Sequence, residues 1–359
     1  MTRMIWLVLG MGLGMMTVMH AQDRAKDPRS RFARAVELRQ AGNFREAADI
    51  CLRALKPEVE MTSSLRVEIL RELVNSLQRL DAWQEADEAV RKAAETYAED
   101  WRVLTEAASR LMSMPDHGQV VDGEFRRADN RGRGQWESVE EKDRVQALRW
   151  LEQARLNLEN DAPVDERAQF WTMLKQALEM NRGSAWALFV KTDLAHEPGF
   201  DDEEGYDEPG SGYPVDDEGE PRYLGVPESY EASANDGERM RFALAQMEAL
   251  GGRWTVEAKE RWADMVARWF GVRRHGWGGP WENEGKDAAG VTALHTLAGD
   301  ETVVQLATGL KRVKLPADYA FLKLRRALAE DERVSDADRS NQWSLMANEF
   351  TNRWQMVQA

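Results

Sequence analysis

Cysteine is nearly absent from this chain of 359 residues, which contains only Cys51. A single cysteine excludes an intramolecular disulfide, so the fold must depend on packing rather than on covalent cross-links. Histidine is also scarce, and no two of the histidines after residue 21 are close enough in the sequence to suggest a pair of metal ligands. They are His117, His196, His275 and His295. Without a metal-ligand spacing or a nucleophile motif, the sequence predicts no cofactor, no metal and no enzyme.

Long hydrophobic runs are absent after the first twenty residues. Arg3 precedes an uncharged apolar run at 4–18, and a polar segment begins at Gln22. The run is short for a membrane span and Ala21 is a suitable small residue before a cut, so residues 1–21 are predicted to be a secretory signal peptide. An uncleaved anchor is the alternative. We expect the mature chain in the periplasm or outside the cell, without a membrane span.

Positive charge is in deficit, with 48 Lys and Arg against 63 Asp and Glu and a formal net charge of -15. Such an acidic chain repels phosphate backbones and anionic lipid surfaces. A nucleic-acid partner is therefore not expected. Protein partners of unknown identity are the remaining expectation.

What the sequence does contain is helical periodicity, which runs through residues 27–114 without a long strand-like alternation. In its clearest unit, small Ala35 and Ala47 would let two helices approach closely, and Gly42 would end the first helix before Phe44 opens the second. This pattern is similar to a tetratricopeptide repeat. A weaker copy lies 39 residues further on, and 101–112 with 143–158 would supply a third unit.

The sequence therefore predicts an all-α fold of tetratricopeptide-like hairpins, an α-solenoid with long irregular loops. Later helices are predicted at 236–250, 256–270, 301–307, 316–328 and 336–356, the last behind the N-cap Ser335. The predicted domains after the signal peptide are the repeats (22–114), a Gly/Arg-rich loop (115–139), a helical region (140–196), an acidic disordered-like linker (197–234) and a C-terminal helical region (235–359). No sheet of consequence is expected.

Two groups of residues are candidates for binding a partner. Arginines on glycine-rich backbone could bind a carboxylate or phosphate, although neutralising the chain's own acidic loop or packing across neighbouring helices is the favoured alternative. These are Arg126, Arg127, Arg131 and Arg133. Trp277 and Trp281, in a glycine-rich break, could stack on a ligand. The acidic linker does not match a calcium-loop pattern, and whether it binds calcium stays open.

Several short strings in the chain, taken together in their order and spacing, resemble the sequences of one known family. They include Pro-Asp-His-Gly at 115–118, Asp-Gly-Glu-Phe-Arg-Arg at 122–127, Asp-Arg-Val-Gln-Ala-Leu at 143–148, Pro-Glu-Ser-Tyr-Glu-Ala at 227–232, Asn-Asp-Gly-Glu-Arg at 235–239, Thr-Ala-Leu-His-Thr-Leu at 292–297, Gly-Asp-Glu-Thr at 299–302 and Leu-Ala-Thr-Gly at 306–309. Together they resemble the N-terminal region of large alpha-2-macroglobulin-like proteins of planctomycete-type bacteria. The resemblance implies a helical segment that stands before protease-trapping β-sandwich domains.

The chain departs from that family because it carries no Cys-Gly-Glu-Gln thioester and no macroglobulin strands. It is either a fragment of a longer protein or a stand-alone helical module. The leading hypothesis is an exported helical-repeat scaffold that mediates protein–protein contacts. The alternatives are a structural envelope protein without a ligand groove and a helical hydrolase that uses acidic loop residues. The partner, the oligomeric state and the signal cleavage site stay open.

Overall fold

A computed structural model describes residues 27–128, 134–200, 212–272, 291 and 293–355. The predicted signal peptide, 1–21, lies outside the described residues. The described residues form two compact units. The first contains the chain up to Asn160 and a short segment that begins at Leu194, and the second contains Asp161–Asp193 and the residues from 212 onward.

Six helices dominate the described part of the first unit. They are α1 (Pro28–Gln40), α2 (Phe44–Ala54), α3 (Ser63–Gln78), α4 (Trp83–Thr96), α5 (Trp101–Met112) and α6 (Glu140–Leu156). Side chains of Asp27, Thr62 and Asp100 accept hydrogen bonds from backbone N–H groups at the starts of α1, α3 and α5. Each helix packs against the next one along the chain, and α3 also contacts both α1 and α5.

The turns of the first two helical hairpins share an unusual backbone conformation. Gly42, between α1 and α2, has φ +86°, and Asp81, between α3 and α4, has φ +56°. The two positions lie 39 residues apart, the offset at which the sequence repeats. Ala35 and Ala47 are fully buried in the first hairpin and Ala86 in the second, as close packing of two helices requires.

The segment predicted as a Gly/Arg-rich loop instead contains a three-stranded antiparallel sheet. Its strands are β1 (His117–Val121), β2 (Glu124–Arg127) and β3 (Gln135–Ser138), in the order β2-β1-β3. Asp122 and Gly123 form the β1–β2 turn with φ of +55° and +84°, and Asp-Gly is a strong hairpin signal. A Cβ on Gly118 would lie 2.2 Å from the carbonyl oxygen of Arg126. The glycines therefore serve a turn and a close backbone approach.

Six more helices lie in the described part of the second unit. They are α7 (Val164–Glu179), α8 (Ala185–Leu188), α9 (Asp236–Ala249), α10 (Gly252–Phe270), α11 (Phe321–Glu330) and α12 (Asp336–Asn352), with a 3₁₀ turn at Leu294–Thr296. Helix α9 packs against α7 and α10, and α11 packs against α10 and α12. The predicted N-cap Ser335 is confirmed, since its hydroxyl accepts a hydrogen bond from the backbone N–H of Asp338.

The helix predicted at 301–307 is wrong, because this segment is one strand of a β-hairpin. Strands β4 (Glu301–Leu306) and β5 (Gly309–Lys314) pair antiparallel. Neighbouring β-branched residues, Thr302, Val303 and Val304, favour a strand, and Gly309 follows the turn with φ +118°. Seven residues were too few for periodicity to separate the two structures.

The described part of the acidic linker is also more ordered than its composition predicts. Within the described residues 212–234, the side chains of Tyr213, Leu224 and Tyr230 are buried. The N–H of Tyr213 donates to the carbonyl of Gln305, so the segment lies beside β4. Acidic residues dominate the composition of the whole linker, so composition alone does not indicate these apolar side chains. The predominance of helix is thus confirmed, whereas a purely all-α fold is wrong.

Candidate functional site

Ion pairs join the helices of neighbouring hairpins in the first unit. Arg29 pairs with Glu68 at 2.8 Å and Arg39 with Glu72 at 2.5 Å, which links α1 to α3. A similar ion pair links α3 to α5. There the guanidinium of Arg71 donates to both carboxylate oxygens of Glu106, at 3.1 and 2.7 Å. Paired donors of this kind add geometric specificity to the contact.

The second helices of the hairpins are joined in the same manner. Arg45 of α2 donates to both carboxylate oxygens of Glu85 in α4, at 2.5 and 3.0 Å. Arg91 of α4 pairs with Asp143 of α6 at 3.2 Å. Partners on the first helices are 33 to 39 residues apart, and the Arg45 pair spans 40. The Arg91 pair spans 52 because the three-stranded sheet is inserted between α5 and α6.

One face of α3 carries Glu68 and Arg71, which form two of these contacts, together with Asn75. The three residues recur at spacings of three and four, so they lie on the same side of the helix. All three are only partly buried. We call this surface, formed by Asn75 and by Glu68 and Arg71 with their partners on α1 and α5, the hairpin face.

Arg127, one of the predicted binding residues, lies inside the first unit. Its guanidinium donates to both carboxylate oxygens of Asp143, at 2.7 and 3.1 Å, and to the carbonyl of Pro115 at 2.7 Å. Burial opposes its charge, but the carboxylate of Asp143 outweighs this and holds the pKa of Arg127 above its ordinary value. With a side chain only 1% exposed, Arg127 fastens β2 to α6, as the structural alternative expected.

Arg126 has the opposite orientation and lies on the exposed face of the three-stranded sheet. Gln119 is directly opposite it on β1, and Trp136 is opposite Gln119 on β3. The Trp136 side chain is 52% exposed, and its ring stacks on that of His117 with centroids 6.2 Å apart. Arg126 therefore remains available to a partner. Trp136 was not singled out from the sequence, because its exposure depends on strand register.

The other four predicted binding residues cannot be placed in this geometry. Arg131, Arg133, Trp277 and Trp281 lie outside the described residues. Their roles stay predictions.

A cleft of about 280 Å³ opens in the second unit, and α9, α10 and α11 form its walls. Eight of its thirteen lining residues are apolar. They are Val226, Leu244, Ala245, Ala258, Trp262, Leu324, Ala327 and Leu328. The polar ones are Arg241, Glu248, Lys259, Asp318 and Asp331. On each helix the lining residues recur at three- and four-residue spacing, so every helix contributes one face.

Arg241 and Trp262 form a stacked pair in the wall of this cleft. The guanidinium carbon of Arg241 lies 3.8 Å from the centroid of the Trp262 ring, a cation–π contact. Asp318 holds both residues, since its carboxylate accepts from Arg241 at 2.9 Å and its carbonyl from the Trp262 indole at 2.6 Å. Burial lowers the pKa of Arg241 below its ordinary value. These partners are 56 and 77 residues from Asp318, so no local signal in the sequence connects them.

The described residues offer less evidence for a catalytic or metal site than for a binding surface. Across them, no group of three or more His, Cys, Asp and Glu side chains converges as a metal site would require. Cys51 is buried, and burial raises the pKa of its thiol to about 12. None of the helices in the described part of the chain is both long and apolar enough to cross a bilayer.

Comparison with known proteins adds no family to this geometry. No family model matches the chain, and no curated protein matches it either.

Proposed function

We propose that this chain is an exported helical-repeat scaffold that mediates protein–protein contacts. Its first unit would consist of three tetratricopeptide-like hairpins, α1/α2, α3/α4 and α5/α6. One observation supports this best: ion pairs link equivalent helices of successive hairpins, and four of the five pairs described above join residues 33 to 40 positions apart. Repeated contacts between neighbouring units are typical of repeat proteins, which bind partners along the surfaces that the repeats present.

The hairpin face is the proposed docking surface. Its charged groups on α3 already have partners on α1 and α5, so the surface is preorganised and close to neutral. A partner segment would then meet fixed polar groups with little side-chain ordering, which favours binding. Asn75, in the last turn of α3, provides both donors and an acceptor for such a contact.

Site-specific photo-cross-linking tests this proposal. A photoreactive phenylalanine analogue replaces Asn75 in cells that produce the chain, and the control variant carries it at exposed Glu88 on α4. We expect one defined protein adduct from position 75 and none from position 88. Adducts from neither position, or equal adducts from both, would contradict docking on the hairpin face.

Export and family membership belong to the same proposal. The signal peptide predicts that the mature protein begins at Gln22, which N-terminal sequencing of the exported protein checks directly. The alpha-2-macroglobulin resemblance makes an envelope partner the first to examine. A cytoplasmic protein that retains Met1 would contradict export.

A further inference from the structure

The cleft in the second unit has the composition of an anchor pocket rather than of a catalytic site. Its walls are mainly apolar, and its volume of about 280 Å³ lies just below the roughly 300 to 1,000 Å³ that encloses a whole drug-sized ligand. A space of this size suits one or two bulky side chains of a larger partner. Buried apolar anchors of that kind dominate the energetics of protein interfaces.

The charges around the cleft select the kind of partner. Arg241 is only 8% exposed and is engaged with Trp262 and Asp318, so it offers little to an incoming group. Lys259 is then the accessible cation, and Glu248, Asp318 and Asp331 supply three carboxylates. The side chains of Glu248 and Asp318 are 47% and 53% exposed. Among the lining residues, carboxylates therefore outnumber cations by three to two.

Asp331 is one of these carboxylates but is already well neutralised. Hydrogen bonds from Arg333 lower its pKa to about 2, so it is ionised and paired at neutral pH. Glu248 pairs with Lys259 at 3.3 Å and Asp318 with Arg241 at 2.9 Å. Both carboxylates nevertheless have room to accept a further hydrogen bond from solvent or from a partner's cation, because each is about half exposed.

We propose that this cleft docks a protein segment in which a bulky apolar side chain stands next to lysine or arginine. The apolar side chain would fill the space between α9, α10 and α11, and the cation would lie against Glu248 and Asp318. The chain's net charge of -15 would attract such a segment over a longer range and repel an acidic one. The proposal shares with the proposed function only the expectation of a protein partner.

Peptide selection from a random phage library against the mature chain, residues 22–359, tests the proposal. We expect the selected sequences to combine an aromatic or leucine anchor with an adjacent Lys or Arg. Synthetic copies of a selected peptide provide the probe for calorimetry. Replacing its basic residue with Glu, or its anchor with Ala, should weaken binding about tenfold or more.

Two variants of the protein locate the binding site. Ala327→Phe fills the cleft from an exposed lining position, and it should weaken the peptide about tenfold or more. Ala249→Phe places the same side chain at an exposed position of α9 outside the cleft, and it should leave the affinity unchanged. Circular dichroism melting curves of both variants should match the parent.

A charge variant keeps the proposal testable if Ala327→Phe does not fold. Val226 is 52% exposed at the cleft, so Val226→Lys should preserve the fold while repelling the basic residue of the peptide. The proposal is overturned if no peptide is enriched, if acidic segments are selected, or if the peptide binds the cleft variants as well as the parent. The cross-linking test at Asn75 concerns the first unit, so either result can fail without the other.

Discussion

The two units build their cores in different ways, from different kinds of side chain. In the first unit, small buried side chains let helices approach, and ion pairs fasten neighbouring hairpins at their surface. Ala35, Ala47, Ala48, Ala86 and Ala108 are all completely buried there. The contacts between successive helices span short stretches of sequence.

The second unit is built around aromatic rings brought together from distant segments. Phe270 at the end of α10 lies 4.5 Å from Tyr213 and 5.8 Å from Tyr319, between ring centroids. The hydroxyl of Tyr319 accepts from the N–H of Leu224, 95 residues earlier, at 2.6 Å. Such contacts form only when segments that are far apart in the sequence come together.

The difference has a consequence for stability. Loss of one aromatic ring should damage the second unit as a whole, whereas a fault in the first unit should act mainly on the adjacent hairpins, as repeat proteins respond. Cys51 lies in the first hairpin and is buried, so its alkylation rate reports opening there. Amide hydrogen exchange reports the second unit.

Removal of a central ring should produce the largest effect. Phe270→Ala leaves a cavity beside Tyr213 and Tyr319, and we expect a loss of about 3 to 5 kcal/mol in the free energy of unfolding. Urea unfolding measures the loss, and hydrogen exchange should locate it in the second unit. The control Trp343→Ala removes a ring that is already 47% exposed, and it should cost less than about 1 kcal/mol. Faster Cys51 alkylation in Phe270→Ala would break the comparison.

Loss of the buried arginine should be of similar size but confined to the first unit. Arg127→Ala leaves the carboxylate of Asp143 buried without its main partner, which should cost about 3 to 5 kcal/mol. Urea unfolding measures this effect.

A double variant separates the buried charge from lost packing. Arg127→Met with Asp143→Leu removes both charges and should recover most of the stability, because no unpaired ion remains. If the double variant is as unstable as Arg127→Ala, packing of the arginine rather than its charge holds β2 in place.

Enlarging the small residues of α2 should have an intermediate effect. The sequence predicts that leucine is tolerated better at Ala48 than at Ala47, but both are fully buried. We therefore expect about 1 to 3 kcal/mol of destabilisation at either position. Ala33→Leu, at an exposed position of α1, should stay within about 0.5 kcal/mol of the parent. Thermal unfolding compares the three, and a tolerant Ala47 would contradict close packing of α1 on α2.

The exposed pair between Arg45 and Glu85 should have the smallest effect. A hydrogen bond from Arg45 holds the pKa of Glu85 below its ordinary value. A carboxyl with a lower pKa in the folded than in the unfolded state stabilises the fold above the unfolded pKa and loses that contribution as pH falls through the folded one. A double-mutant cycle with Arg45→Ala and Glu85→Ala should give about 0.2 to 1 kcal/mol at pH 7. Repeated at a pH below the lowered pKa of Glu85, where its carboxyl is protonated in the folded state, it should approach zero.

Much of the first unit could be predicted because its signals are local. Ala35, Gly42, Phe44 and Ala47 lie within one hairpin, and their spacing alone indicates two helices and a turn. The small sheet was missed although Asp122-Gly123 between Val121 and Phe125 is a hairpin signal. The glycines and arginines of this segment indicate a loop by composition, whereas the turn chemistry of Asp-Gly indicates a hairpin.

The cleft could not be predicted from the sequence. Arg241 and Trp262 occupy helices that were correctly predicted, but Asp318, which joins them, is in a loop far along the chain. Helical periodicity predicts which side of a helix is buried, but it does not predict which segment packs against that side. The same limit applies to Phe270, whose partners Tyr213 and Tyr319 are 57 and 49 residues away by their numbering.

The sequence by itself determined the predominance of helix, the hairpin register of the first unit and the acidic character of the chain, because each depends on residue type and spacing over one or two helical turns. The tertiary structure decided that Arg127 is buried while its neighbour Arg126 is exposed. It also decided that 301–314 is a hairpin and that a mainly apolar cleft lies between α9, α10 and α11. Strand register and the pairing of distant side chains set these outcomes, and both are long-range properties that short windows of sequence do not contain.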